Sequence, residues 1–396
     1  MNPAIKSGSL YTRPFLLLCI SHALFAGSFS MMIPELPAYL TGMGGEGYKG
    51  WIIALFTITA GISRPFSGKL TDTIGRIPVM YVGTIACVVS SLLYPWLAFV
   101  SGFLALRFFH GFSTGFKPTG TSAYVADVVS EENRGEAMGF LGITFSVGAS
   151  ISPLLGGWLT MKWGINSMFY TSAILAVVSM AILWNLPETL HKRRRFEWQH
   201  LKVGRSDIFD PLVLPVAITM ILCYASYGVI ITLIPDMSDR LGVENRGTCF
   251  SIFTLASVLT RFSAGRISDQ MGRVPVLRAS AIAIAIAMSA FALAETKVML
   301  FIAAAVFGLA NGIFSPAINA WAVDLGEPGK KGRALATMYI SLEIAIGGGA
   351  LLSGWYIANH FERMPAVFWT TALLSLAGWV YLFRLGTGKD VSLKSG

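Results

Sequence analysis

Three ionisable residues sit deep inside apolar stretches of this chain: His22, Lys117 and Glu343. His22 lies nine residues beyond Arg13, Lys117 ten before Asp127, and Glu343 ten beyond Arg333. At a helical rise of about 1.5 Å per residue each is on the order of 15 Å from a charged boundary, near the centre of a ~30 Å hydrocarbon layer. Inserting an ionisable group there costs roughly 2.5–3.5 kcal/mol, so such a residue points to function by default. The chemistry on offer is proton exchange, because apolar surroundings disfavour the charged form of an acid and of an amine alike. Glu343 is the expected proton carrier. Lys117 has a second use, since a cation in a dry site attracts an anionic or zwitterionic compound.

A second charged set lies in loops. The run GKLTDTIGRIP at 68–78 returns as GRISDQMGRVP at 265–275, 197 residues later. At the same offset Arg64 matches Arg261, Gly111 matches Gly308, Gly115 matches Gly312, Asp127 matches Asp324, and Gly157-Trp158 matches Gly354-Trp355. One half of the chain is a copy of the other, as in membrane proteins with pseudo-two-fold symmetry. Gly68 and Gly75 suit a tight reversal, and Asp72 and Arg76, four apart, share one side of it. Asp127 can complete the cluster, with Asp269, Arg273 and Asp324 as the repeat.

The elements that hold these residues are apolar helices. Hydrophobic residues make up 54% of the 396 and charged ones 13%, with a mean hydropathy of +0.63, which excludes an ordinary water-soluble surface. Runs of about 20 apolar residues fall at 15–38, 51–70, 78–99, 103–126, 136–160, 166–186, 210–235, 247–266, 275–294, 298–322, 334–358 and 364–384, six per half. The fold predicted is an all-α membrane protein with twelve transmembrane helices in two pseudo-symmetric six-helix bundles: residues 1–187, a polar linker at 188–208 carrying His-Lys-Arg-Arg-Arg at 191–195, and residues 209–396.

Of the 30 Lys and Arg residues, 20 fall in the termini and the loops between even- and odd-numbered spans. Six fall on the opposite side, namely Lys49, Lys162, Arg240, Arg246, Lys297 and Arg363. Both termini are therefore expected in the cytoplasm, and the net charge of +9 needs no nucleic-acid partner. The basic linker is placed to meet anionic membrane lipids, although positive-inside bias alone accounts for it. The first apolar segment runs a full span without a small-residue cleavage site and reads as helix 1. Cys19, Cys87, Cys223 and Cys249 lack metal-ligand or redox spacing and read as small buried hydrophobes. No metal site, cofactor or Walker-type phosphate loop is expected, and no enzymatic activity.

The paired loops follow the pattern Gly, variable, Leu, small, Asp, two variable residues, Gly, Arg, with Ile267 in place of the leucine in the second copy, and over essentially the whole length the chain resembles the major facilitator superfamily. The resemblance implies that Asp72, Arg76 and Asp127, and likewise Asp269, Arg273 and Asp324, form cytoplasmic gating clusters. Gly148, Pro153, Gly156 and Gly157 in helix 5 are similar to the antiporter motif of the superfamily's drug/proton exporters. Ser152 departs from it in place of a glycine, and helix 11 lacks the proline. Packing glycines are the plain alternative.

By the same resemblance helices 1, 4, 7 and 10 line a central cavity. Substrate contacts are then expected from Lys117, Phe25, Phe116, Tyr124, Tyr224, Tyr227, Asn311, Asn319 and Trp321, although helix packing explains each one singly. Proton coupling is expected from Glu343, with His22 and with Arg107 of the helix 4 arginine motif; the plain reading of Arg107 is a helix-end arginine snorkelling to water. His110 reads as an interhelical hydrogen-bonder, Glu35 as a hydrated helix-end residue. The function implied is a proton-coupled secondary transporter of a bacterial cytoplasmic (inner) membrane, acting as a monomer and exporting small organic compounds by alternating access. The alternative is a carrier of an anionic or zwitterionic metabolite, siderophore-like or amino-acid-derived, in either direction.

Overall fold

The computed structural model describes residues 11–130, 133–190, 193–197, 201, 204, 209–327, 331–358 and 360–385. His191 and Lys192 of the expected basic linker cluster, and most of 198–208, lie outside the described residues. Within them the regular elements are helices: α1 (Arg13–Ser30), α2 (Leu36–Gly42), α3 (Lys49–Thr73), α4 (Arg76–Leu93), α5 (Val100–Val128), α6 (Arg134–Trp163), α7 (Ile165–Leu183), α8 (Leu214–Arg240), α9 (Gly247–Met271), α10 (Arg273–Ala292), α11 (Lys297–Leu325), α12 (Lys331–Ile357) and α13 (Met364–Arg384). With α1 and α2 counted together they occupy the twelve predicted spans.

Among the described residues nine helices are long and apolar enough to cross a bilayer. The other three, α3, α5 and α9, are as long but more polar, and they carry Arg64, Lys117 and Arg261.

One prediction needs correction. The first span is not continuous from 15 to 38: α1 stops at Ser30, residues 31–35 turn, and α2 resumes at Leu36. Pro34 lacks the N–H that would bond back into α1, and its ring disfavours a helical residue 33. The matched loops turn on glycine, since Gly75 has φ +125° and Gly272 φ +89°, values that an L side chain rarely adopts.

The chain forms two compact units, Met1–Met32 with Thr59–Gly204, and Ile33–Ile58 with Arg205–Gly396. In the first, α1 packs against α6 and α7, and α4 against α5 and α7. In the second, α8 packs against α12 and α13, and α10 against α11 and α13, so the same order of contacts is repeated. Small residues set the closest approaches. A Cβ at Gly148 would stand 2.1 Å from the Ala23 carbonyl oxygen of α1, and one at Gly156 2.3 Å from that of Met31. In the second unit a Cβ at Gly349 would stand 2.2 Å from the Ala225 oxygen, and one at Gly228 2.0 Å from that of Ile346. Lipid offers no hydrophobic drive for helix association, so this backbone proximity supplies the packing energy.

Candidate functional site

Lys117 is fully buried in the first unit. Its ammonium donates to Ser21 Oγ of α1 at 2.8 Å, to the Ser21 carbonyl at 3.3 Å and to Ser179 Oγ of α7, and lies 5.1 Å from the centre of the Phe25 ring. The serines lock to each other as well: Ser21 Oγ donates to the Ser179 carbonyl at 2.8 Å, and Ser179 Oγ to that of Ser21 at 2.7 Å. Each hydroxyl has thus spent its one proton on a carbonyl, leaving lone pairs toward Nζ. The cage is built of acceptors, which suits an ammonium, and α1 and α7 enclose it, so a compound meets the charge directly only by displacing those serines.

His22, next to Ser21, is buried with its ring 5.0 Å from that of Phe145, and its Nδ1 has no hydrogen-bond partner. An orphaned buried nitrogen of this kind calls for an explanation. Arg107 is 2% exposed and donates to Tyr94 Oη at 3.3 Å, so it does not snorkel to water. Tyr94 Oη lies 3.2 Å from His110 Nδ1, His110 Nε2 is 3.3 Å from Cys87 Sγ, and Cys87 is 3.2 Å from Ser28 Oγ. Cys87 is therefore a link in a polar chain and not only a small hydrophobe. Phe116 and Tyr124 pack elsewhere, Phe116 with Leu70 and Val79, Tyr124 with Phe15, Met80 and Val125.

In the matched loops Arg76 Nε donates to Asp127 at 2.9 Å and Nη1 to Asp72 at 3.1 Å. Arg273 Nε donates to Asp324 at 2.9 Å, and its Nη1 to Asp269 and, at 3.0 Å, to Ser268 Oγ. The two clusters share one plan. A residue that sequence reasoning missed distinguishes them. Glu188, 4% exposed, accepts the backbone N–H groups of Arg76 and Ile77 at 3.0 Å each, satisfying two orphan donors at the start of α4 with a carboxylate at the positive end of its dipole. A Cβ at Gly75 would fall 2.5 Å from Glu188 Oε2, a second reason for glycine there. The position 197 residues after Glu188 is Leu385, so this cap is not repeated.

In the second unit Tyr224 and Tyr227 stack at 5.7 Å, with Phe314 5.5 Å from Tyr224 and Phe253 5.7 Å from Tyr227. Asn311 is buried on the same helix as Phe314. Asn319 donates to the Ser315 carbonyl of its own helix at 2.7 Å, and Trp321 is buried further along α11. Glu343 is half-buried on α12. Glu35 is buried and ion-paired to Arg246 at 2.7 Å, not hydrated as its helix-end position suggested.

The profile of the Major Facilitator Superfamily matches residues 18–244 and 216–395. The chain belongs to the major facilitator superfamily. It is 26% identical over 372 residues to the multidrug resistance protein MdtG of Klebsiella pneumoniae (strain 342), covering 90% of each chain. It is 26% identical over 396 residues to the MdtG of Escherichia fergusonii, covering 96% of each. The superfamily fold recurs in the peptide transporter POT with bound sulfate (TM-score 0.80, 13% identity, 96% of each chain). It recurs also in the human organic anion transporter MFSD10 (TM-score 0.74, 18% identity, 96% of this chain and 100% of that one). This superfamily member is a multi-pass membrane transporter of small molecules.

Proposed function

We propose that the chain is a drug/proton antiporter of the bacterial inner membrane, exporting small organic compounds with both termini in the cytoplasm. Residues 1–187 and 209–396 alternate between two arrangements across the 188–208 linker, with protons supplying the drive. The observation that carries this reading is the duplicated charge cluster, Arg76 with Asp72 and Asp127 in one half and Arg273 with Asp269 and Asp324 in the other, at a constant offset of 197. Half-exposed pairs are worth about 0–1 kcal/mol each, which suits contacts that must break in every cycle.

Glu343 carries the proton, assisted by His22 and Arg107. The substrate contacts come from Phe25, Phe116, Lys117 and Tyr124 in the first half and from Tyr224, Tyr227, Asn311, Asn319 and Trp321 in the second. Gly148, Pro153, Gly156 and Gly157 keep α6 against α1. The names of the relatives support drug export over carriage of an anionic metabolite. The test is dye export from inverted vesicles under an imposed proton gradient. Glu343→Gln abolishes gradient-driven export while dye binding survives; driven export at the parental rate removes Glu343 from the role.

A further inference from the structure

Residues 33–58 belong to the first half by the duplication, yet they are part of the second compact unit. Charge holds them there. Lys49, which opens α3, donates to both carboxylate oxygens of Asp236 near the end of α8, at 2.9 and 2.8 Å, and the two side chains are only 7% and 10% exposed. Beside this pair, Glu35 accepts from Arg246 Nη1 at 2.7 Å, and Arg246 Nε donates to Asp239 at 2.6 Å. These contacts join residues 187 and 211 positions apart. They lie at the helix ends opposite the matched Asp-Gly-Arg loops, the side that the charge asymmetry assigns to the exterior.

A glycine seam completes the junction. A Cβ at Gly50 of α3 would stand 2.5 Å from the Ala350 oxygen of α12, and one at Gly354 would stand 2.4 Å from the Gly50 nitrogen. The backbones therefore touch at those points, with no room for a side chain between them.

We infer that the Lys49–Asp236 and Glu35–Arg246–Asp239 ion pairs, seated on the Gly50–Gly354 seam, are the outer lock of the transport cycle, broken and remade at each turnover. The inference rests on the alternating-access reading above. A buried ion pair is a suitable catch, because the attraction between its charges is largely offset by their lost hydration and the closed state is held without being trapped. Removing one partner is different. The survivor is buried and unpaired only while the junction is closed, and regains water when it opens, so the penalty falls on the closed state alone.

Spin labels at Tyr48→Cys and Glu244→Cys, both exposed and on opposite sides of the junction, report its separation by pulsed EPR, since the four native cysteines are buried. The otherwise unaltered protein gives a dominant short distance. Asp236→Asn raises the long-distance to short-distance ratio by about tenfold or more, and the exchanged pair Lys49→Asp with Asp236→Lys reverses much of that rise. An unchanged distribution in Asp236→Asn, or an exchanged pair no more closed than the single variant, overturns the lock. If Asp236→Asn does not fold, Arg246→Gln decides in the same way, widening supporting the lock and constancy refuting it. Dye export is measured separately, so a junction that opens as described in a protein that exports nothing keeps the lock and discards the antiporter reading.

Discussion

Replacing Lys117 by Met separates a functional lysine from a structural one. The substitution removes an ammonium that makes three polar contacts, to Ser21 Oγ, the Ser21 carbonyl and Ser179 Oγ. Hydrogen bonds to a charged group contribute about 1.5–3 kcal/mol each, whereas dehydrating the ion costs several kcal/mol. The two nearly cancel. The loss leaves no orphan donor, because the Ser21 and Ser179 hydroxyls keep their bonds to each other's carbonyls at 2.8 and 2.7 Å, and the methionine chain fills the space of the lysine stem. The net change is therefore about 1 kcal/mol or less, and Tm, followed by tryptophan fluorescence in detergent, moves by no more than about 4 °C. Dye export in vesicles falls steeply, most for anionic dyes. A Tm loss on the order of 10 °C, the mark of a disrupted buried network, would refute the separation and make Lys117 a structural element. Parental export of anionic dyes at normal stability would remove it from the mechanism.

Two further outcomes follow from the geometry. Asp127→Asn increases labelling of a cysteine placed on the cytoplasmic side more than Asp72→Asn does, because the Asp127 side chain is 30% exposed and also accepts from Thr189 Oγ1, whereas the Asp72 side chain is 75% exposed and screened by water; equal effects would contradict the ranking. Gly148→Ala lowers stability by about 1–3 kcal/mol, since its Cβ would lie 2.1 Å from the Ala23 oxygen, while Gly139→Ala, with nothing within 4 Å of its Cβ, is neutral or stabilising; thermal unfolding of both variants is the check.

The duplication, the apolar runs and the paired loop motifs are legible along the chain because hydropathy, charge bias and the spacing of Asp72 and Arg76 are local patterns with a fixed meaning in a bilayer. The break between α1 and α2 was legible in principle at Pro34, but an apolar run passes through it. What only the tertiary structure decided are the partners of buried polar groups. Nothing near Ser21 announces Ser179, 158 residues away, or marks Glu188 as the cap of α4, 112 residues from Arg76. Nothing near Glu35 announces Arg246, 211 residues on. A buried charge must find compensation wherever helices converge, and that convergence is a property of packing and not of sequence neighbourhood.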